Sequence, residues 1–200
     1  YVKTDELTDN DTAAPKKDSV IPSKNQYEYQ KQELAAFCHF GMNTYTGSEW
    51  GNGKENPNQF QLTNDFDEET YVKAIHDAGF KKLIITAKHH DGFCIWPSEM
   101  TTHDTETAGY EGDVLEELSR ACTKYNIDMG LYLSPWDVNS EYYGYKDKDG
   151  KKLVGADGQP LNGKTWDQVK QEDALDYNEY YDNQLKEILG NDKYGNNGHF

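Results

Sequence analysis

Three histidines, a Glu-Trp pair and a tyrosine are the residues of this chain best suited to chemistry. His39 closes the apolar run LAAFC, the adjacent pair His89 and His90 closes KKLIITAK, and Tyr132 lies in DMGLYLSPW together with Trp136. Glu49 and Trp50 stand side by side in the polar stretch after His39. Imidazoles and a carboxylate can give and take hydrogen bonds with ring hydroxyls, while indole and phenol planes pack on the apolar face of a sugar. Taken singly, His39, Trp50 and Tyr132 read as ordinary packing groups, and Glu49 as a loop carboxylate in water. Two imidazoles in succession at the end of a buried strand, followed by Asp91-Gly92, are harder to explain as core filling, because burying polar groups without partners is costly. A metal site is the rival reading for three histidines and Asp91. Neighbours on a strand point to opposite faces, so His89 and His90 would chelate one ion poorly unless the strand had already turned, and no metal ligand is assigned. A serine hydrolase is weaker still, since no G-x-S-x-G elbow is present.

For these residues to meet, the elements carrying them must end on one side of the molecule. LAAFCHFG reads as a strand buried on both faces, KKLIITAKHH as a second and DMGLYLSPW as a third. Residues 42–66 are rich in Gly, Asn and Thr and too long for an idle connection, which suggests a binding loop. Asp67 caps a predicted helix with Tyr71, Val72, Ile75 and Ala78 on one stripe and Gly79 as its stop. Asp113 and Glu116 make a capping-box-like start to a second helix, whose stripe is Val114, Leu115, Leu118, Ala121, Cys122 and Tyr125. The Gly-, Lys- and Asp-rich stretch from Asp137 to about Asp173 reads as a surface insertion, and Tyr177, Tyr181, Leu185, Ile188 and Leu189 mark a third helix ended by Gly190.

Strand and helix alternate, which implies an α/β fold with parallel strands joined by right-handed crossovers. An open doubly wound sheet and a closed (β/α)8 TIM-type barrel both fit. The barrel is favoured, because His, Trp, Glu and Tyr gather at the strand ends and HFGMNTYTG holds neither G-x-G-x-x-G nor a Walker-type GK[ST]. Only about the first three strand-helix units are expected. Residues 1–26, polar and carrying Pro15 and Pro22, read as an N-terminal arm or linker, and 27–200 as the N-terminal part of the barrel, truncated before strand 4. Three units do not close a barrel, so the isolated 200-residue chain is expected to fold poorly and to lack turnover.

The net charge of −16, from 20 Lys plus Arg against 36 Asp plus Glu, disfavours nucleic acid and anionic membrane surfaces as partners. With 15 Tyr, 7 Phe and 4 Trp the chain can build a core. No apolar run approaches the ~20 residues of a bilayer crossing, and the polar opening from Tyr1 has no secretion signal, so the true start of the gene product is expected upstream. Cys38, Cys94 and Cys122 are widely spaced beside apolar segments, where a thiol acts as a small hydrophobe rather than part of a disulfide framework or zinc site.

The strings HFGMNTYTGSEWG, TAKHHDGFCIWPS, GDVLEELSRAC and MGLYLSPWD, in this order, resemble the first three strand-helix units of the α-L-fucosidases, over about residues 34–190. The EWGNG-x-ENP and WPS variants are similar to the subgroup acting on α-1,3/1,4-linked fucose. The resemblance implies a retaining glycoside hydrolase that releases terminal α-L-fucose, with His39, Glu49, Trp50, His89, His90 and Tyr132 as its substrate-binding residues. It implies no cofactor, fucosylated oligosaccharides or glycoconjugates as partners, and an extracellular or cell-surface location. The family's nucleophilic Asp and its acid/base would fall downstream of Phe200, so no catalytic residue is assigned within the chain. A non-catalytic fucose-binding barrel and a metal-dependent barrel hydrolase are the alternatives.

Overall fold

Leu83, Ile85 and Ala87 alternate along one face of a strand and are all but inaccessible to solvent, which places this strand at the centre of the fold. The structure, a computed structural model, describes residues 21–63, 66–140, 143 and 177–200. Its elements in chain order are α1 (Lys24–Lys31), β1 (Ala35–Cys38), α2 (Met42–Thr46), a 3-10 turn (Pro57–Gln59), α3 (Glu68–Asp77), β2 (Lys82–Lys88), α4 (Val114–Tyr125), β3 (Asp128–Leu133) and α5 (Tyr177–Leu189). The strands form a parallel sheet in the order β1-β2-β3, with Ala35 opposite Lys82 and Lys82 opposite Asp128. The fold is therefore α/β with a parallel sheet. The predicted arm over residues 1–20, and the predicted insertion at 141, 142 and 144–173, lie outside the described residues.

The predicted caps hold. The Asp67 carboxylate accepts the Thr70 N–H at 2.8 Å, and that of Asp113 accepts the Glu116 N–H at 3.1 Å, each satisfying a donor that the helix start leaves unpaired. Asn126 closes α4 in the left-handed conformation with φ 54°. The core lies between the helices and one sheet face, where Val72, Leu115, Leu118 and Cys122 join Leu83, Ile85 and Met129.

Three features differ from the sequence reading. First, β1 is not buried on both faces: Phe37 is 57% exposed, because β1 is an edge strand whose second face is covered by no described element. Second, residues 42–66 are only partly a loop. They contain α2 and the 3-10 turn, and Phe60 is buried beneath them, stacked on Phe93 at 4.7 Å and edge-on to Tyr45 at 5.0 Å. Much of this segment is thus packing. Third, residues 24–31 are helical. A Ser23–Gln26 capping box starts α1, which crosses the division drawn at residue 26 and buries none of its residues.

Candidate functional site

Strand β2 stops at Lys88, where the pairing with β3 shifts register between Thr86 and Lys88. His89 and His90 lie beyond that irregularity. They do not alternate across a strand, and their ring centroids are 4.1 Å apart. His39, one residue past β1, brings its ring within 4.1 Å of His89. Its backbone is pinned from both sides: the Thr86 hydroxyl donates to the Phe40 carbonyl at 2.8 Å and accepts the Phe40 N–H at 3.1 Å, while the Asn43 amide donates to the His39 carbonyl at 3.3 Å.

Tyr132 in β3 stacks on His89 at 5.6 Å. Just past that strand, Trp136 packs on His90 at 4.8 Å, and Trp50 stands edge-on to both His90 at 5.9 Å and Trp136 at 5.7 Å. Five of the six predicted site residues, His39, Trp50, His89, His90 and Tyr132, therefore form one row of rings at the C-terminal ends of three parallel strands. Trp136 joins them. Trp50 remains 55% exposed, so the indole forms the open wall of the row. Glu49, the sixth, is exposed; its carboxylate acts on the charge of His90, and its backbone carbonyl meets the His89 ring.

Burial, with the His39 and His90 rings beside it, pushes the His89 imidazole down to about 4. Burial also holds His90 below the ordinary histidine range, against the opposing pull of the Trp136 backbone and Glu49. Both are neutral at pH 7. The tautomer of His90 follows from its partners. The Ser134 hydroxyl gives its proton to the Trp136 carbonyl at 2.7 Å, so at 2.7 Å from His90 Nδ1 it can only accept. Nδ1 thus carries the hydrogen, and Nε2 is left as an acceptor. Nε2 of His39 and Nδ1 of His89 are buried with no hydrogen-bond partner among the described residues. Such a row is fitted to an uncharged ligand rich in hydroxyls. Among the described residues no group of three or more His, Cys, Asp or Glu side chains is placed to hold a metal ion.

Beneath the row lies a support that the sequence reading did not single out. Lys88 is fully buried and its three N–H donors are matched by Asp137 Oδ2 at 3.1 Å, Gln184 Oε1 at 2.8 Å and the Tyr177 hydroxyl at 3.2 Å. The rings of Tyr177, Tyr180 and Tyr181 surround the ammonium at 5.3–5.5 Å. Asp137 Oδ1 in turn accepts the N–H groups of Asn139 and Ser140 at 3.1 and 2.8 Å, setting the turn that follows Trp136. A lysine placed directly after the apolar run LIITA, inside the strand, was the visible sign of this site. Asp91 is buried beside it, and burial, with Glu55 and Asp137 nearby, pushes its carboxyl up to about 7.

The chain is similar to known proteins over most of its length. The sequence profile of the family described as Alpha-L-fucosidase matches residues 23–198. Alpha-L-fucosidase 1 of Arabidopsis thaliana is 40% identical over 178 residues, covering 88% of this chain and 29% of its own length. Tissue alpha-L-fucosidase of Macaca fascicularis is 29% identical over 161 residues, covering 66% of this chain and 34% of its own length. The structure of a Ruminococcus gnavus GH29 fucosidase in complex with fucose superposes with a TM-score of 0.78 at 57% identity, covering 94% of this chain and 36% of that one. The chain thus spans about a third of the relatives it matches. With the matched stretch taking in all three strands and every ring of the row, this chain belongs to the alpha-L-fucosidase family.

Proposed function

We propose that the whole protein is an α-L-fucosidase that releases terminal α-L-fucose from oligosaccharides or glycoconjugates with retention of configuration, and that the present chain forms its fucose-binding wall. The observation that carries this reading is the row His39–His89–His90, spaced at 4.1 Å and flanked by Tyr132, Trp50 and Trp136. The neutral imidazoles of His89 and His90 suit an uncharged sugar: they present acceptors without the desolvation cost of a buried charge. His90 Nε2 accepts a hydrogen bond from one hydroxyl, the unpartnered nitrogens of His39 and His89 serve others, and the Trp50 face meets the apolar side of the ring. The three strands are read as the first of a (β/α)8 barrel, in which ligand-binding groups stand at the C-terminal strand ends.

Retaining hydrolysis needs two carboxyl groups ~5–5.5 Å apart, one attacking the anomeric carbon and one protonating the departing oxygen. We place both downstream of Phe200. The residues of this chain act by holding the sugar, through hydrogen bonds that tighten as its ring flattens toward the oxocarbenium-like transition state. Glu49, next to Trp50, influences proton transfer at that stage. An α-1,3/1,4 linkage preference and an extracellular or cell-surface location belong to the same proposal. The test is release of the leaving group from an aryl α-L-fucoside by the full-length protein. Activity lost in His89→Ala and His90→Ala supports the reading, and full activity in both overturns it.

A further inference from the structure

Three loops interlock behind the row of rings, and glycines make the interlock possible. Gly53, at φ +74°, approaches so closely that a Cβ there would lie 2.3 Å from the Val138 carbonyl oxygen. Gly92, at φ +81°, would place a Cβ 2.3 Å from Asp137 Oδ1 and 2.9 Å from the Asn139 Cβ. The loop after β1, the turn after β2 and the turn after β3 therefore meet at residues 137–139. One side-chain hydrogen bond spans the first and third of these: Asn139 Nδ2 donates to the Gly53 carbonyl at 3.0 Å. The backbone of the third turn is itself fixed, since Asp137 Oδ1 accepts the Asn139 N–H and the Val138 N–H donates to the His90 carbonyl at 2.9 Å.

From this geometry we propose that Asn139 is a positioning residue for substrate recognition, acting through Gly53 to hold Trp50 against Trp136 and His90. The need for it is visible at Trp50, which is more than half exposed and has edge-on ring contacts instead of deep burial to hold it. Without the Asn139 bond, the segment bearing Glu49 and Trp50 keeps the glycine approaches and the contact of the Glu49 carbonyl with the His89 ring, but loses the directional tie that fixes its Gly53 end to the turn after β3. The inference rests on the fucosidase reading, because its consequence is measured on a fucoside.

The experiment compares the full-length wild type with Asn139→Asp, Asn139→Ala, Trp50→Ala and the Asn139→Ala/Trp50→Ala double variant, on an aryl α-L-fucoside. Asn139→Asp keeps the shape but puts a negatively charged oxygen where the donor stood, whereas Asn139→Ala removes the donor without adding charge, so an effect shared by the two is that of the lost hydrogen bond. Both Asn139 variants are expected to raise KM roughly tenfold and leave kcat within about twofold, the pattern of lost binding without lost chemistry. The double variant is expected to match Trp50→Ala within about twofold, because Asn139 has nothing left to position. Unchanged KM, an equal fall in kcat, losses that multiply in the double variant, or Asn139 variants that do not fold would each overturn the proposal. A wild type that neither hydrolyses the fucoside nor binds fucose is a separate result; it removes the fucosidase reading and this inference with it.

Discussion

His90 Nδ1 lies 2.7 Å from the Ser134 hydroxyl, whose own proton is committed to the Trp136 carbonyl. That relay decides which imidazole nitrogen faces outward with a free lone pair. Ser134→Ala leaves the ring free to rotate and to change tautomer. It is expected to lower kcat/KM on an aryl fucoside by roughly tenfold. Nitrogen NMR of the wild type is expected to report an Nδ1–H imidazole at pH 7; an Nε2–H ring would contradict the assignment.

Lys88 and Asp137 are a buried ion pair, and removal of one partner strands the other charge in a low dielectric. Lys88→Met is predicted to cost about 3–5 kcal/mol of stability in the full-length protein, measured by denaturant unfolding. Lys88→Met/Asp137→Asn is predicted to recover part of that loss. The amide still accepts the turn N–H groups of Asn139 and Ser140 through its oxygen, while the uncompensated charge is gone.

His89 predicts the acid side of the pH profile. Its folded value of about 4 lies below the ordinary 6.5, so its contribution to stability is complete above 6.5 and is lost as pH falls through about 4. Sugar binding follows the same sign, because the neutral ring is the acceptor. The His89 contribution to KM is expected to be flat from about pH 7 to about pH 5 and to worsen only on approach to 4. A histidine NMR titration that returned an ordinary value for His89 would remove this prediction.

Asp91 works in the opposite sense. Its carboxyl is raised to about 7 from 3.8, so the folded state holds the proton more tightly than the unfolded chain. The stability it contributes is fully present below 3.8 and is lost as pH rises through about 7. Asp91→Asn keeps an acceptor for the Phe93 N–H and cannot ionise. The variant is expected to flatten the decline in stability across this window and to gain on the order of 2 kcal/mol over wild type at about pH 8. Parallel unfolding curves for the two proteins across the same range would contradict it.

The local features were legible in the sequence for local reasons. Asp67 and Asp113 announce α3 and α4 because a cap acts on residues within one turn, and the apolar runs mark the strands because burial dominates there. The grouping of His39, His89, His90, Tyr132 and Trp50 followed from parallel strands ending on one side. What escaped was set by distant partners. The break at Lys88 that brings both histidines to one side depends on the register with β3, and Lys88 itself is matched by Asp137 and Gln184, 49 and 96 residues away. Helix α1 was missed because it has no buried residue and so no apolar stripe to betray it. The packing role of residues 42–66 rests on Phe60 meeting Phe93, a contact that no spacing within the segment encodes.

The most direct test of the central claim is a crystal structure of the full-length protein with L-fucose bound. The account predicts sugar hydroxyls within hydrogen-bonding distance of His39 Nε2, the His89 ring and His90 Nε2, with the apolar side of the sugar on Trp50. Fucose seated elsewhere, with these nitrogens turned away from it, would contradict the account.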